Sequence, residues 1–303
     1  MSKTHLIDGN SIGYAAHNAT RLTSGGLETQ SVFGFIKTLR NLRVEQPDFT
    51  PMVLWDGHAQ WRYDLHPGYK EKRNTDPKRV ASREAYREAR PFIQRALSAL
   101  GVRQISAKHH EADDLAGYFV PLLMARPGNE IELISGDQDW IQLLRQGVSW
   151  RDLRDDTRFV HMGNLLDKTG YTTPYAFLEG KCLQGDASDN IPGVGGIGEK
   201  GAPVLLAEHG SIRKLWQSVD SGAFKPKSKA LTNLCSAQGR MDFGRNLRLM
   251  QLLKVAPPAK SDVDVSVGKF DKDAFADLCG ELAFSSILKH LDVFTKPFER
   301  TAA

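Results

Sequence analysis

The chain has 303 residues, 41% of them hydrophobic, enough for one large or two modest domains with a proper core. Its three cysteines, Cys182, Cys235 and Cys279, contain no Cys-x-x-Cys pair, which argues against a zinc site or a disulfide framework and for a reducing cytoplasm. The net charge is +4, no apolar signal core opens the sequence, and the apolar run Tyr118 to Ala125 is too short to span a bilayer, so neither secretion nor membrane insertion is expected.

Thr4 to Asp8 reads as a short buried strand, and Gly9-Asn10-Ser11 turns it into a helix, leaving Asp8 at the strand's C-terminal end. A helical pattern over about 30–44 carries Val32, Phe35, Ile36, Leu39 and Leu42 on one face. Pro51 to Asp56 repeats the first arrangement, an apolar strand ending in an acid followed by glycine. From Arg62 to Arg90 come nine Lys/Arg against five acids, interleaved with Trp61, Tyr63, Tyr69 and Tyr86. This stretch is expected to be a mobile cationic excursion running into a helix that ends near Leu100; a solvated helix with paired charges is the plainer alternative.

Gly101 to Ser106 is a third strand, followed by a helix with Glu111, Asp113 and Asp114 in its first turn. The helix dipole alone welcomes acids there, but the parallel with the other strand ends favours cation ligands. His109 and His110 read as supporting or exposed residues. Ile131 to Ser135 is a fourth strand, and Gly136-Asp137-Gln-Asp139 brings two more acids to the same edge. Val148 to Trp150 and Arg158 to Val160 form a pair of edge strands, after which the pattern is helical to the end, with Ala256 to Ser261 as a connector. Between two of these helices lies Gly185-Asp186-Ala-Ser-Asp189-Asn-Ile-Pro-Gly-Val-Gly-Gly-Ile-Gly-Glu-Lys200. Its Gly193, Gly195, Gly196 and Gly198 would let backbone N–H groups approach an anion at the start of the next helix.

Asp8, Asp56, Glu111, Asp113, Asp114, Asp137, Asp139, Asp186 and Asp189 thus come from separate segments. If they converge they cannot all ionise without cations, and an all-oxygen set selects hard ions such as Mg²⁺ or Mn²⁺. Two such ions about 3.5–4 Å apart suit phosphodiester hydrolysis. Outside these nine acids the chain carries 40 cations against 27 acids, an acidic pocket on a basic body that fits a polyanionic substrate. A dinucleotide-binding reading of the glycine stretch fails, since no opening βαβ unit precedes it.

Leu6-Ile-Asp8-Gly-Asn, Trp55-Asp56-Gly, Tyr69-Lys70-Glu-Lys-Arg73, Glu111-Ala-Asp113-Asp114, Ser135-Gly-Asp137-Gln-Asp139 and the Gly185–Lys200 stretch resemble, in order, the motifs of the structure-specific 5′-nucleases. These are the flap endonucleases, the 5′-nuclease domain of bacterial DNA polymerase I and the bacteriophage 5′→3′ exonucleases. The resemblance runs from about Leu6 to Leu291. It implies an α/β fold with a mostly parallel central sheet flanked by helices, a cationic helical arch over about 59–92 and a helical C-terminal part with a helix–turn–helix clamp. The expected divisions are 1–172, 173–292 and a tail over 293–303, with no polymerase module, as in the free-standing enzymes.

By the same resemblance Asp8, Asp56, Glu111, Asp113 and Asp137 would surround a first metal, and Asp114, Asp139, Asp186 and Asp189 a second. Lys70 and Arg73 would steady the scissile phosphate, and Tyr69 would stack on the terminal nucleotide. Arg62, Lys72, Lys200 and the four glycines would contact DNA, with a K⁺ ion on the carbonyls of the turn. Pro203 is a departure, removing a donor from the first turn of the following helix. The implied activity is metal-dependent 5′→3′ exonuclease and 5′-flap endonuclease, leaving 5′-phosphates on DNA, or on RNA primers paired to DNA. A monomer in the cytoplasm of a bacterium or a phage-infected cell is expected.

Overall fold

The computed structural model describes residues 2–19 and 21–302. β1 (Lys3–Asp8) runs directly into α1 (Gly9–His17) because Asp8 caps the helix, its Oδ1 accepting from the Ser11 N–H at 2.9 Å. A short hairpin, β2 (Thr23–Ser24) with β3 (Leu27–Glu28), precedes α2 (Gln30–Glu45). β4 (Phe49–Trp55) leads through α3 (Gln60–Leu65), a 3-10 turn (Glu71–Asn74) and α4 (Pro77–Ala99) to β5 (Arg103–Ala107). Next come α5 (Ala112–Met124), β6 (Glu130–Ile134), a 3-10 turn (Gln138–Leu143), β7 (Val148–Arg151) and β8 (Phe159–His161).

The helical part that follows holds α6 (Leu165–Thr169), α7 (Pro174–Gln184), α8 (Gly201–His209), α9 (Ile212–Asp220), α10 (Lys229–Cys235) and α11 (Ala237–Met250). The chain then returns as β9 (Val263–Val267) before α12 (Lys272–Glu281), α13 (Ser285–Leu288) and α14 (Leu291–Thr295).

The sheet order is β8-β7-β6-β1-β4-β5-β9. The five inner strands pair in parallel, and β8 and β9 close the edges antiparallel. The central strands are buried on both faces, including the polar His5 of β1 and Glu132 of β6, which lie 3.2 Å apart. Leu6, Leu54 and Leu133 point to one core with Leu115 and Trp140, while Ile7, Val53 and Ile134 point to the other with Phe35, Ile93 and Leu97. From β1 the chain winds to β4 and β5, then returns to β1's other side with β6. The winding therefore reverses between β1 and β6, and in open parallel sheets ligands bind at that crevice beyond the strand C-termini.

Two expectations fail here. The C-terminal part is not helical throughout, since β9 pairs Val265 with Ile105 and returns the chain to the sheet. The expected tail is also folded: Phe298 is fully buried and Pro297 accepts hydrogen bonds from Arg43. Its last residue, Ala303, lies outside the described residues. Among the described residues no helix is long and apolar enough to cross a membrane.

Candidate functional site

The parallel strands deliver their acids to one rim. Asp8 ends β1; its Oδ2 accepts from Ser135 Oγ at 2.8 Å, across the switch point from β6. Asp56 follows β4, and its Oδ1 accepts from the Ala112 N–H at 2.7 Å, pinning the start of α5. Asp113 Oδ1 accepts from Trp140 Nε1 at 2.6 Å. Asp137 caps the 3-10 turn after β6, accepting from the Asp139 N–H at 2.8 Å. In the loop after α7, Asp186 Oδ1 accepts from Ser188 N–H and Oγ at 2.8 and 2.7 Å.

These carboxyls strain against one another. Burial, followed by the charge of Asp56, pushes Asp8 up to about 7, and burial with Asp139 does the same to Asp137. Asp113 is held well above the carboxylate range by burial and then by Asp137, Asp8 and Asp56. Asp186 lies below its ordinary value; burial opposes this, but the Ser188 hydrogen bonds and Lys181 outweigh it.

Two adjoining cavities sort the acids. One, of about 1340 Å³, is lined by Asp8, Asp56, Asp113, Asp137 and Asp186. The other, of about 40 Å³, is lined by Asp113, Asp137, Asp139, Asp186 and Asp189. Asp113, Asp137 and Asp186 border both. Among the described residues no three acids or histidines stand in ready ligand geometry. Several are paired with cations instead: Lys70 with Glu111, Arg73 with Asp189, and Lys181 with Asp139 and Asp186 at 3.1 and 3.7 Å. No motif in the sequence points to Lys181, which reaches these acids only because α7 runs alongside the turn after β6.

The large cavity is roofed by α4. Pro77 starts this helix after the cap Asp76, and Tyr86, Ala89, Ile93 and Ala96 bury one stripe at helical spacing. Arg79, Arg83, Arg87 and Arg90 form another stripe that lines the cavity, joined by Lys70, Lys72 and Arg73. The cationic segment is thus α3 and α4 on either side of a 3-10 turn, and the helix expected to end near Leu100 is α4.

Four expected residues, Arg62, Tyr69, Asp114 and Glu111, are buried among protein partners, the first two at the edge of the smaller cavity. Arg62 is 2% exposed and Asp114 1%. Arg62 donates to both Asp114 oxygens at 2.8 and 2.6 Å and to Leu249 O at 3.2 Å, while the Glu111 N–H also uses Asp114 Oδ2. This fork leaves Arg62 no face for DNA and Asp114 no free face for a cation. Tyr69 is 4% exposed, with its hydroxyl on Glu111 Oε2 at 3.1 Å and its ring edge-on to Tyr63, so it is not placed to stack on a nucleotide. Glu111 lines neither cavity and gathers Lys70, Tyr69 and Arg62 instead.

The glycine-rich loop joins α7 to α8. A Cβ at Gly193 would come within 2.5 Å of Gln184 O and one at Gly195 within 2.7 Å of Ala230 O, so packing explains both. At Gly196 and Gly198 a Cβ would meet nothing within 4 Å, so these two present open backbone. Lys200 is exposed just before α8, whose Gly201 and Ala202 N–H groups turn back onto Gly198 O at 3.0 Å each. Pro203 falls in the first turn of α8.

A family model described as "5′-3′ exonuclease, N-terminal resolvase-like domain" matches residues 3–170, and one described as "5′-3′ exonuclease, C-terminal SAM fold" matches residues 172–272. The chain belongs to the 5′-3′ exonuclease family. It is therefore a nuclease, a phosphodiester hydrolase. DNA polymerase I of Mycobacterium bovis is 31% identical over 291 residues, covering 92% of this chain and 30% of that protein, so the chain spans under a third of this relative's length. Among solved structures, the bacteriophage T5 5′-exonuclease with bound zinc ions superposes with a TM-score of 0.69 at 24% identity, covering 99% of this chain and 100% of that one. The bacteriophage T5 flap endonuclease, in a complex with DNA and metal ions, gives a TM-score of 0.68 at 23% identity and covers 99% of both chains.

Proposed function

We infer that this protein is a divalent-metal-dependent 5′→3′ exonuclease and 5′-flap endonuclease, acting on DNA near 5′ ends, nicks and junctions and on RNA primers paired to DNA. The observation that carries the reading is the meeting of five carboxylates with the arginine stripe of α4 around one cavity of about 1340 Å³. Acids whose pKa values burial and mutual repulsion raise are a donor set that lacks its counter-charge, and their oxygens fit Mg²⁺ or Mn²⁺. Similar folds hold divalent metal and DNA in the T5 proteins.

Asp8, Asp56, Asp113 and Asp137 would hold a first ion, and Asp139, Asp186 and Asp189, with Asp113 and Asp137 shared, a second. When bound, such a pair supplies charge neutralisation at the attacking and leaving oxygens of the phosphodiester. The chain's own residues bind and orient. Lys70 and Arg73, at the cavity wall, would leave Glu111 and Asp189 for the scissile phosphate and its developing charge. Lys72, Arg79, Arg83, Arg87 and Arg90 would draw the 5′ strand under α4. Gly196, Gly198 and Lys200 would meet the duplex backbone as a helix–turn–helix clamp, with K⁺ on the carbonyls of the turn. We read the protein as a cytoplasmic monomer.

The test is a comparison of 5′-labelled flap, nicked and blunt duplexes with and without Mg²⁺. Metal-dependent release of 5′-phosphorylated products, fastest from one of the branched or nicked substrates, is expected. No cleavage of any of them with Mg²⁺ or Mn²⁺ would overturn the reading.

A further inference from the structure

The segment that carries Tyr69, Lys70 and Arg73 is fastened to the loop that carries Asp186 and Asp189, across more than a hundred residues of sequence. Asn190 Nδ2 donates to Gly68 O at 2.8 Å, and the Asn190 carbonyl oxygen lies 2.8 Å from His66 Nε2. Beside them the Lys70 N–H donates to Asp189 O at 2.9 Å. Both sides of the seam hold a non-glycine residue in the left-handed region, Lys70 at φ 58° and Asn190 at φ 57°; asparagine adopts this readily, lysine only where its surroundings hold it. The fit is close: a Cβ on Gly68 would stand 2.9 Å from Asn190 Nδ2.

The loop itself is stiff. Asp186 and Ile191 exchange backbone hydrogen bonds at 2.8 and 2.7 Å, and the Asp186 side chain caps Ser188 and Asp189. Asn190 sits at the end of that closed turn, where its backbone and side chain both face the 66–70 segment.

We propose that Asn190 is a positioning residue for phosphodiester cleavage: its amide fixes the Lys70 segment against the Asp186–Asp189 loop and so sets where the lysine ammonium stands relative to the carboxylates. Asparagine suits the task because it tolerates positive φ and still offers two amide donors. His66 and Gly68 serve the same seam, one from its ring and the other by leaving room.

The inference rests on the nuclease reading above, and the experiment separates the two. Asn190→Gly keeps the left-handed backbone without strain and removes only the amide. On a flap duplex with saturating Mg²⁺ we expect kcat to fall about 10–100-fold, the scale of a misplacement near 1 Å, with KM and metal-free flap affinity within about twofold of wild type. Lys70→Met combined with Asn190→Gly should be no slower than Lys70→Met alone, because the amide acts through the lysine. A wild-type kcat in Asn190→Gly, a loss confined to KM, or multiplying losses in the double variant each overturn the inference. If Asn190→Gly does not fold, Gly68→Ala, whose Cβ would displace the Asn190 amide from the other side, is held to the same outcomes. Absence of cleavage by the wild-type protein would instead overturn the nuclease reading.

Discussion

Arg62 and Asp114 show how one side chain's role turns on a contact that sequence cannot display. Arg62 stands at the head of a cationic run and Asp114 in a cluster of acids, so proximity in sequence suggests DNA for one and metal for the other. Their partnership spans 52 residues and is closed by two hydrogen bonds in a buried site. Removing one partner leaves the other as an uncompensated buried charge. Arg62→Met is therefore expected to cost about 3–5 kcal/mol in urea unfolding while the folded protein keeps its affinity for a flap duplex in the absence of metal. Weakened DNA binding at unchanged stability would return Arg62 to the DNA surface. Tyr69 misleads for the same reason, since its burial against Glu111 follows from the turn of the chain at Lys70 and not from its neighbours in sequence. The acids at the strand ends were legible because β1 and β4 are each followed by acid then glycine and β6 by glycine then acid, a recurrence that topology converts into one rim.

At the scale of elements, α4 was foreseen as a charged helix ending near Leu100, but not which of its arginines would face the site. Its arginines recur at helical spacing, yet only the burial of Tyr86, Ala89 and Ile93 in the core it shares with α1 and α2 decides that Arg79 and Arg87 turn into the cavity. Each of these, if it contacts a phosphate, should contribute to the salt dependence of binding. Arg79→Ala and Arg87→Ala are each expected to shallow the slope of log K against log salt by about 1. An unchanged slope would place them as solvated surface charges. β9 was missed although Val263, Val265 and Val267 alternate with Asp264 and Ser266 at the period of a strand; the run is only five residues long and follows a long helical stretch. Its antiparallel pairing with β5 makes it part of the sheet.

For the whole molecule, the C-terminal helices are joined to one another by buried polar groups as well as apolar packing, and one of these gives a pH signature of its own. Glu179 on α7 is 2% exposed; its Oε1 accepts from the Ile212 N–H at 3.2 Å and its Oε2 has no hydrogen-bond partner. Burial pushes its carboxyl up to about 7. The folded state therefore holds a proton that the unfolded chain releases near its ordinary value, and stability falls as pH rises from about 4.5 to about 7. Glu179→Gln should flatten that part of the stability curve and gain on the order of 1–3 kcal/mol at pH 8. A variant with an unaltered pH dependence would mean that Glu179 is ionised without penalty in the fold.

The overall architecture gathers the acidic rim, the arginine stripe of α4 and the loop that carries Asp186 around one cavity; on the function proposed above, the distance from duplex grip to cleavage point would be set by the fold. The claim at its centre is that Asp137, shared by both cavities, holds cations rather than merely stabilising the loop after β6. Asp137→Asn, assayed on a 5′-labelled flap duplex with Mg²⁺ and by binding to the same duplex without metal, tests this most directly. Cleavage is predicted to fall by about 10²–10³-fold or more while metal-free binding and melting temperature stay close to wild type; full turnover in the variant would contradict the account.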